Sequence, residues 1–249
     1  MPLSTTVTPA VHRPAATAGG TDAPPVVLLH GFASSAETDF GATGLAAAIA
    51  AAGRTAIAVD LPGHGRNEPI ADASAATTSS VVAAIAAAVA DAAPEASVVD
   101  VLGYSLGARL AWELPDATGG RVRRLVLGGI SPFEPFAAID PAELDAVLGG
   151  AEASNPLTGM MAGMIQAPGL DTASLAKLIV GLASQPFDPA AGAPRVPALF
   201  LAGTEDPMSQ GVEALVSAVD GARLERVPGD HHGALASPEF RAAALAFLS

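Results

Sequence analysis

The feature that most constrains the fold is an alternation of short apolar runs with Ala-rich stretches along most of the chain. The apolar runs are bounded by Gly or Pro, which is typical of strands that are buried on both faces. Strands that alternate with helices of about 10 to 15 residues predict a mostly parallel sheet with helices on both faces, an α/β fold. Strands are predicted at residues 25–31, 55–65, 97–105, 122–130, 195–206 and 222–229, and helices at 44–52, 78–93, 106–114, 210–219 and 238–248.

Two regions depart from this alternation. We interpret residues 1–24 as an irregular arm or a short edge hairpin. Residues 131–194 contain eight prolines and no convincing strand, with short helical pieces expected near 141–149 and 172–184. Because long structureless connections are uncommon, an insertion of this size usually forms a lid or a subdomain. We therefore expect a core made of residues 1–131 and 195–249, and a short helical cap over 132–194, inserted before the penultimate strand.

Composition and charge argue against several classes of partner. The net charge of −13 would repel nucleic-acid backbones and anionic membrane surfaces, and an aromatic content of 4% does not favour a stacking platform for bases. The mean hydropathy of +0.43 is high, but the longest apolar runs fall short of the roughly 18 to 20 residues that span a bilayer. The N-terminal residues show no secretory pattern. We expect a soluble, cytoplasmic protein with no nucleic-acid or membrane partner, and the sequence indicates no particular oligomeric state.

The chemistry is predicted to centre on Ser105, in the sequence Gly103-Tyr104-Ser105-Leu106-Gly107. This G-x-S-x-G pattern follows an apolar strand and opens a helix, which is the context that a nucleophile elbow requires. Small residues allow a sharp strand-to-helix turn that raises the hydroxyl above the sheet. The same turn directs the first amides of the helix toward developing negative charge. A glycine-rich turn with an incidental serine is the alternative interpretation.

A serine hydroxyl needs a base, and the base needs a carboxylate that orients it. His231 and His232 are the only histidines after Ser105, and the chain contains no cysteine that could serve as nucleophile. Their loop follows the last predicted strand, and Asp206 follows the strand before it, so all three groups lie at carboxyl ends of strands. We predict His231 as the base, with His232 as the alternative. Asp206 is predicted as the acid, with Glu205 and Asp230 as alternatives.

With these motifs in place, the chain resembles the α/β-hydrolase superfamily over nearly its whole length. The resemblance rests on LLHGF at 28–32, DLPGHG at 60–65, GYSLG at 103–107, GTEDP at 203–207 and PGDHH at 228–232. It implies an α/β-hydrolase fold and an oxyanion hole formed by the backbone amides of Phe32 and Leu106. Relatives with an aspartate nucleophile act as dehalogenases or epoxide hydrolases, and Ser105 argues against both of these activities.

The predicted function is that of a serine hydrolase of the carboxylesterase type, which cleaves a small or medium neutral ester through an acyl-enzyme on Ser105. Lys177 is the one basic residue in 131–194, which argues against a strongly anionic substrate. Met160, Met161 and Met164 are candidates for the substrate pocket, since methionine adapts to irregular shapes. No metal or organic cofactor is expected. The alternatives are a non-hydrolytic enzyme of the same fold, perhydrolase-like or lyase-like, and a non-catalytic binding protein.

Overall fold

A computed structural model describes residues 1–11 and 23–249. The interpretation of residues 12–22 as part of an N-terminal arm, and His12 with it, lies outside the described residues. The seven strands in the described part are β1 (Thr5–Thr8), β2 (Val26–Leu29), β3 (Ala56–Val59), β4 (Val99–Tyr104), β5 (Val122–Gly128), β6 (Ala198–Gly203) and β7 (Arg223–Val227). They form one sheet in the order β1-β3-β2-β4-β5-β6-β7.

All strand pairs of this sheet are parallel except one. β1 pairs antiparallel with β3 at the edge, from Thr5 opposite Val59 to Thr8 opposite Ala56. The region expected to be an irregular arm or hairpin therefore supplies a single edge strand over its described part. The mostly parallel α/β architecture that the sequence predicts is confirmed.

The helices are α1 (Leu45–Ala51), α2 (Thr78–Ala92), α3 (Leu106–Ala117), α4 (Pro141–Leu148), α5 (Pro156–Ile165), α6 (Thr172–Ala183), α7 (Glu213–Ala218), α8 (Gly233–Ala236) and α9 (Pro238–Leu248). Short helical turns lie at Glu37–Gly41, Ala73–Ala76, Phe136–Ala138 and Pro207–Ser209. Apolar side chains of α2 and α3 share one buried cluster with the sheet. Those of α1 and α9 share a second cluster. The sheet is thus covered by helices on both faces.

Two helix predictions need correction. The helix expected to stop at Pro115 continues to Ala117, because Pro115 lies in the last turn, where its missing N–H removes little of the hydrogen bonding. Helix α5 was not predicted at all, although the sequence carries a start signal for it. Asn155 caps this helix by accepting a hydrogen bond from the Leu157 amide, and Pro156 occupies the first turn.

Residues 132–194, all of them described, contain three helices and no strand. We call these residues the cap segment. Helix α6 of this segment packs directly on the core, since a side chain at Gly181 would collide with the carbonyl oxygens of Ala73 and Ala76. The division of the chain into a core and a separate cap stays a prediction.

Candidate active site

The backbone at Ser105 is bent as a nucleophile elbow requires. Ser105 joins β4 to α3 with φ 53° and ψ −116°, a left-handed φ that is unusual for a residue other than glycine. The flanking glycines are sterically required at this turn. A Cβ at Gly103 would overlap the carbonyl of Gly107, and a Cβ at Gly107 would overlap the carbonyl of Leu29. Close packing of α3 against β2 and β4 therefore holds the serine at the carboxyl edge of the sheet.

Three side chains from three strand ends form a continuous hydrogen-bonded chain. Ser105 Oγ lies 3.0 Å from His231 Nε2, and His231 Nδ1 lies 2.9 Å from Asp206 Oδ2. If His231 Nδ1–H donates to the carboxylate, Nε2 is the acceptor for the serine hydroxyl. The structure thus brings together the serine, the histidine and the aspartate that the sequence singled out.

Asp206 is buried and follows β6 directly, at the start of the short turn Pro207–Ser209. Its carboxylate accepts hydrogen bonds from Ser209 Oγ at 2.7 Å and from the Met208 amide at 2.9 Å, besides its contact with His231. Burial opposes ionisation, but the hydrogen bonds from His231 and Ser209 outweigh it, so the pKa of Asp206 is lowered. This carboxyl group is held in the charged form that can orient an imidazole.

The loop after β7 separates the two histidines. Tyr104 donates a hydrogen bond from its hydroxyl to the backbone oxygen of His231 at 2.5 Å. Asp230 accepts from the amides of His232 and Gly233, which turns the chain into α8. His232 is exposed, and its ring packs edge-on against His231 with centroids 5.8 Å apart. The alternative acids, Glu205 and Asp230, are both exposed, and neither contacts an imidazole nitrogen in the described part of the chain.

The amides of Phe32 and Leu106 both lie at the site. Within the described residues, neither amide has a backbone or side-chain acceptor. The loop that carries Phe32 runs beside the serine, because a Cβ at Gly31 would lie 3.5 Å from the Cβ of Ser105. Both amides therefore keep a free N–H that could receive a developing oxyanion. The assignment of this role stays a prediction.

Ser105 and His231 open into a cavity of about 450 Å³, a size typical of small-molecule sites. The three methionines proposed from the sequence all line it: Met161 is buried, whereas Met160 is 50% and Met164 37% exposed. The neighbouring Phe133 and Phe136 also line the cavity, and His232 lies at its wall. Phe187 does not, because it packs against Trp112.

Sequence reasoning missed a charged pair in the cavity wall. Arg109 Nε lies 2.5 Å from Glu134 Oε2, and both side chains are almost fully buried. Glu134 also accepts hydrogen bonds from the amides of Phe136 and Phe187, so the pair connects α3 to the cap segment. The spacing held a signal for Arg109, because a residue four positions after Ser105 lies on the same face of the helix. The partner Glu134 carried no comparable signal.

Two further searches of the described residues gave no site. Residues 1–11 and 23–249 contain no group of three or more His, Cys, Asp or Glu side chains arranged to hold a metal ion. In the same residues, no helix is both long and apolar enough to cross a membrane.

Comparison with known proteins places the chain in a family. A family model described as the alpha/beta hydrolase fold matches residues 24–151, just over half of the chain. A comparison with curated protein sequences gives no significant match. Similar solved structures include MenH from S. aureus, with a TM-score of 0.73 and 18% identity over 98% of this chain and 97% of that chain.

Two others carry a descriptive name. A hydrolase from Pseudomonas aeruginosa PA01 has a TM-score of 0.71 and 20% identity, covering 99% of this chain and 94% of that chain. A thermophilic esterase from Thermogutta terrifontis has a TM-score of 0.71 and 19% identity, covering 99% and 92%. At these identities the similarity concerns the fold alone. The family match and the architecture agree with the resemblance inferred from the motifs, and the chain belongs to the α/β-hydrolase family.

Proposed function

We propose that the protein is a serine hydrolase that cleaves a small or medium neutral carboxylic ester through an acyl-enzyme on Ser105. The observation that carries this proposal is the chain of hydrogen bonds from Ser105 Oγ to His231 Nε2 and from His231 Nδ1 to Asp206 Oδ2. This order of groups converts a weakly nucleophilic hydroxyl into one with a base within reach. The esterase and hydrolase named among the similar structures support the same class of chemistry.

In the first half of the proposed reaction, Ser105 Oγ attacks the ester carbonyl carbon and His231 Nε2 takes the hydroxyl proton. The amides of Phe32 and Leu106 stabilise the negative charge on the carbonyl oxygen. When the tetrahedral intermediate collapses, the carbon–oxygen bond to the alcohol breaks. The leaving alkoxide takes the proton from His231, while Asp206 stabilises the imidazolium throughout.

In the second half, water attacks the acyl-enzyme and gives a proton to His231. The bond to Ser105 Oγ then breaks, and the serine recovers that proton as the carboxylic acid leaves. Because His231 acts as a base at both attacks, activity should rise with pH as this histidine loses its proton. The apolar wall of Met160, Met161 and Phe136 favours an uncharged acyl or alcohol group in the cavity.

The test is a panel of p-nitrophenyl esters from acetate to octanoate, assayed with the wild type and with Ser105→Ala. We expect wild-type turnover and a loss of at least about 10³-fold in kcat/KM in the variant. The matched control is Ser217→Ala, because this exposed serine lies on α7, away from the cavity. Equal rates in wild type and Ser105→Ala would remove Ser105 from the mechanism.

Labelling and product analysis separate the alternatives. A fluorophosphonate should label Ser105 alone, as read by peptide mapping, and labelling of a different serine would contradict the assignment. Products other than the acid and the alcohol would point to a non-hydrolytic enzyme of the same fold. A protein that binds esters without turnover and resists labelling would be a binding protein.

A further inference from the structure

Three consecutive amides beside Ser105 have different hydrogen-bond partners. The Gly31 amide donates to Asp39 Oδ2 at 2.8 Å, and the Ala33 amide donates to His64 Nε2 at 3.0 Å. The Phe32 amide between them has no acceptor in the described chain. The two outer N–H groups are thus held by the protein, and the middle one is left for a ligand.

A buried histidine sets the direction of that middle N–H. The Gly31 carbonyl shares a planar trans peptide with the Phe32 amide, so its oxygen and the N–H point in opposite directions. The Gly31 oxygen lies 2.7 Å from His30 Nδ1. His30 Nε2 accepts from the Leu61 amide at 2.9 Å, which places the ring proton on Nδ1 and makes Nδ1 the donor to Gly31. Holding this oxygen on the His30 side turns the Phe32 N–H away from His30.

A second buried histidine holds the next peptide. His64 Nδ1 lies 2.9 Å from the Pro62 carbonyl and donates to it, so Nε2 is an obligate acceptor for the Ala33 amide. Ala33 needs this support, because its φ of +56° is a left-handed conformation that is costly for a residue with a Cβ. The rings of His30 and His64 pack edge-on with centroids 5.0 Å apart.

We propose that His64 is a positioning residue for the reaction: with His30, it holds the loop 31–33 so that the Phe32 amide faces the carbonyl oxygen of a substrate bound at Ser105. This role rests on the proposed function, since it requires an oxyanion at the serine. It also requires that both imidazoles remain neutral, because a protonated Nε2 would oppose the N–H that it now accepts. Burial satisfies that requirement by lowering the pKa of His64 to about 3 and that of His30 to about 4.

The variants separate the acceptor from the ring. His64→Phe keeps an aromatic ring near Phe32, with which His64 now packs at 5.8 Å between centroids, but it removes the acceptor. His64→Gln carries an amide oxygen near the position of Nε2 and should restore the bond to Ala33. If His64 only fills space, His64→Phe is the milder change; if it positions the loop, His64→Gln is the milder change.

The kinetic readout compares p-nitrophenyl butyrate with its thionoester, in which sulfur replaces the carbonyl oxygen. An oxyanion hole favours oxygen over the larger and weaker acceptor sulfur, so the ratio of the two kcat/KM values reports on the Phe32 donor. We expect His64→Phe to lower this ratio by about tenfold or more, mainly through kcat for the oxoester, and His64→Gln to recover most of it. An unchanged ratio in His64→Phe, with both rates lowered equally, would overturn the proposal.

Amide hydrogen exchange tests the clamp without turnover and without a variant. In the wild type, the Ala33 amide should exchange at least about 100-fold more slowly than the Phe32 amide. Addition of butylboronic acid, which forms a tetrahedral adduct on a reactive serine, should then protect Phe32. Equally fast exchange at both amides would disprove the clamp. Absence of ester turnover in the wild type would instead count against the proposed function, while the protection of Ala33 still decides whether the clamp exists.

Discussion

The wall of the cavity that comes from the sheet edge differs from the wall that comes from the cap segment in how its side chains are held. On the sheet side, Ser105, His231 and Asp206 are fixed by hydrogen bonds of 2.7 to 3.0 Å to each other and to Ser209. On the cap side, Met160 and Met164 make no polar contacts in the described structure and are 50% and 37% exposed. Methionine side chains adapt to the shape of what they contact.

The comparison suggests a division of labour. Chemistry needs geometry accurate to a fraction of an ångström, which close packing and hydrogen bonds on a rigid sheet can supply. Selection among apolar groups needs only a surface that fits approximately, and this is what the methionines of α5 offer. We therefore expect changes on the sheet side to alter rate for every substrate, and changes on the cap side to alter the preference among substrates.

The largest expected effect concerns the two adjacent histidines. His231→Ala should lower kcat/KM for p-nitrophenyl butyrate by about 10³-fold or more, because the base is removed and Asp206 loses its partner. His232→Ala serves as the matched control and should change the rate by no more than a few-fold, since its ring is exposed and has no hydrogen bond to Ser105. Comparable losses in both variants, or the reverse order, would show that the sheet-side geometry does not set the rate.

An intermediate effect concerns stability in acid, which the sheet side should dominate because residues 132–194 contain no histidine. The pKa values of His30 and His64 are lowered by burial to about 4 and about 3, from an ordinary 6.5. The unfolded chain therefore binds more protons than the folded chain between about pH 3 and 6.5, and stability falls as the pH drops through this window. Urea unfolding should give a free energy about 2 to 4 kcal/mol lower at pH 5 than at pH 7.

His64→Gln should remove about half of this loss, since one of the two buried imidazoles is gone. Asp206 is an internal reference, because its pKa is lowered and its contribution to stability fades only below the ordinary aspartate range. If the variant and the wild type lose the same free energy between pH 7 and 5, titration of these imidazoles is not the cause.

The smallest expected effect concerns the cap side. Met161→Ala enlarges the cavity next to a buried wall position, so longer acyl chains should gain relative to short ones. We expect the ratio of kcat/KM for octanoate over butyrate to rise about tenfold, with the butyrate rate changed little. Ile165→Ala is the control, because Ile165 is buried on the same helix and does not line the cavity. A uniform fall for all chain lengths in Met161→Ala would break the division of labour.

Prediction from the sequence succeeded where local pattern and chemistry agree. The strand–Ser105–helix context and the order of serine, aspartate and histidine led to groups that the structure places within hydrogen-bond distance. The missed helix α5 is different, because Asn155-Pro156 is a helix start signal that was present but overlooked. Pro115 was given too much weight as a stop, since a proline in the final turn disturbs few bonds.

The choice between His231 and His232 illustrates what local pattern leaves undecided. Both residues lie in the same short loop and have the same side chain. The loop is oriented by Asp230, which is local, but also by Tyr104, which is 127 residues away in the chain and donates to the His231 carbonyl. The same holds for the Arg109–Glu134 pair, which joins a core helix to the cap segment.

The sequence by itself determined the alternating α/β plan, the elbow at Ser105 and the identity of the acid and base candidates, because periodicity, glycine placement and residue order are local properties of the chain. Tertiary structure alone decided which imidazole reaches the serine, which methionines face the cavity and how two buried histidines hold the loop at Phe32. The physical reason is that hydrogen bonds and close packing depend on directions and distances between segments far apart in sequence, and these exist only once the sheet has assembled.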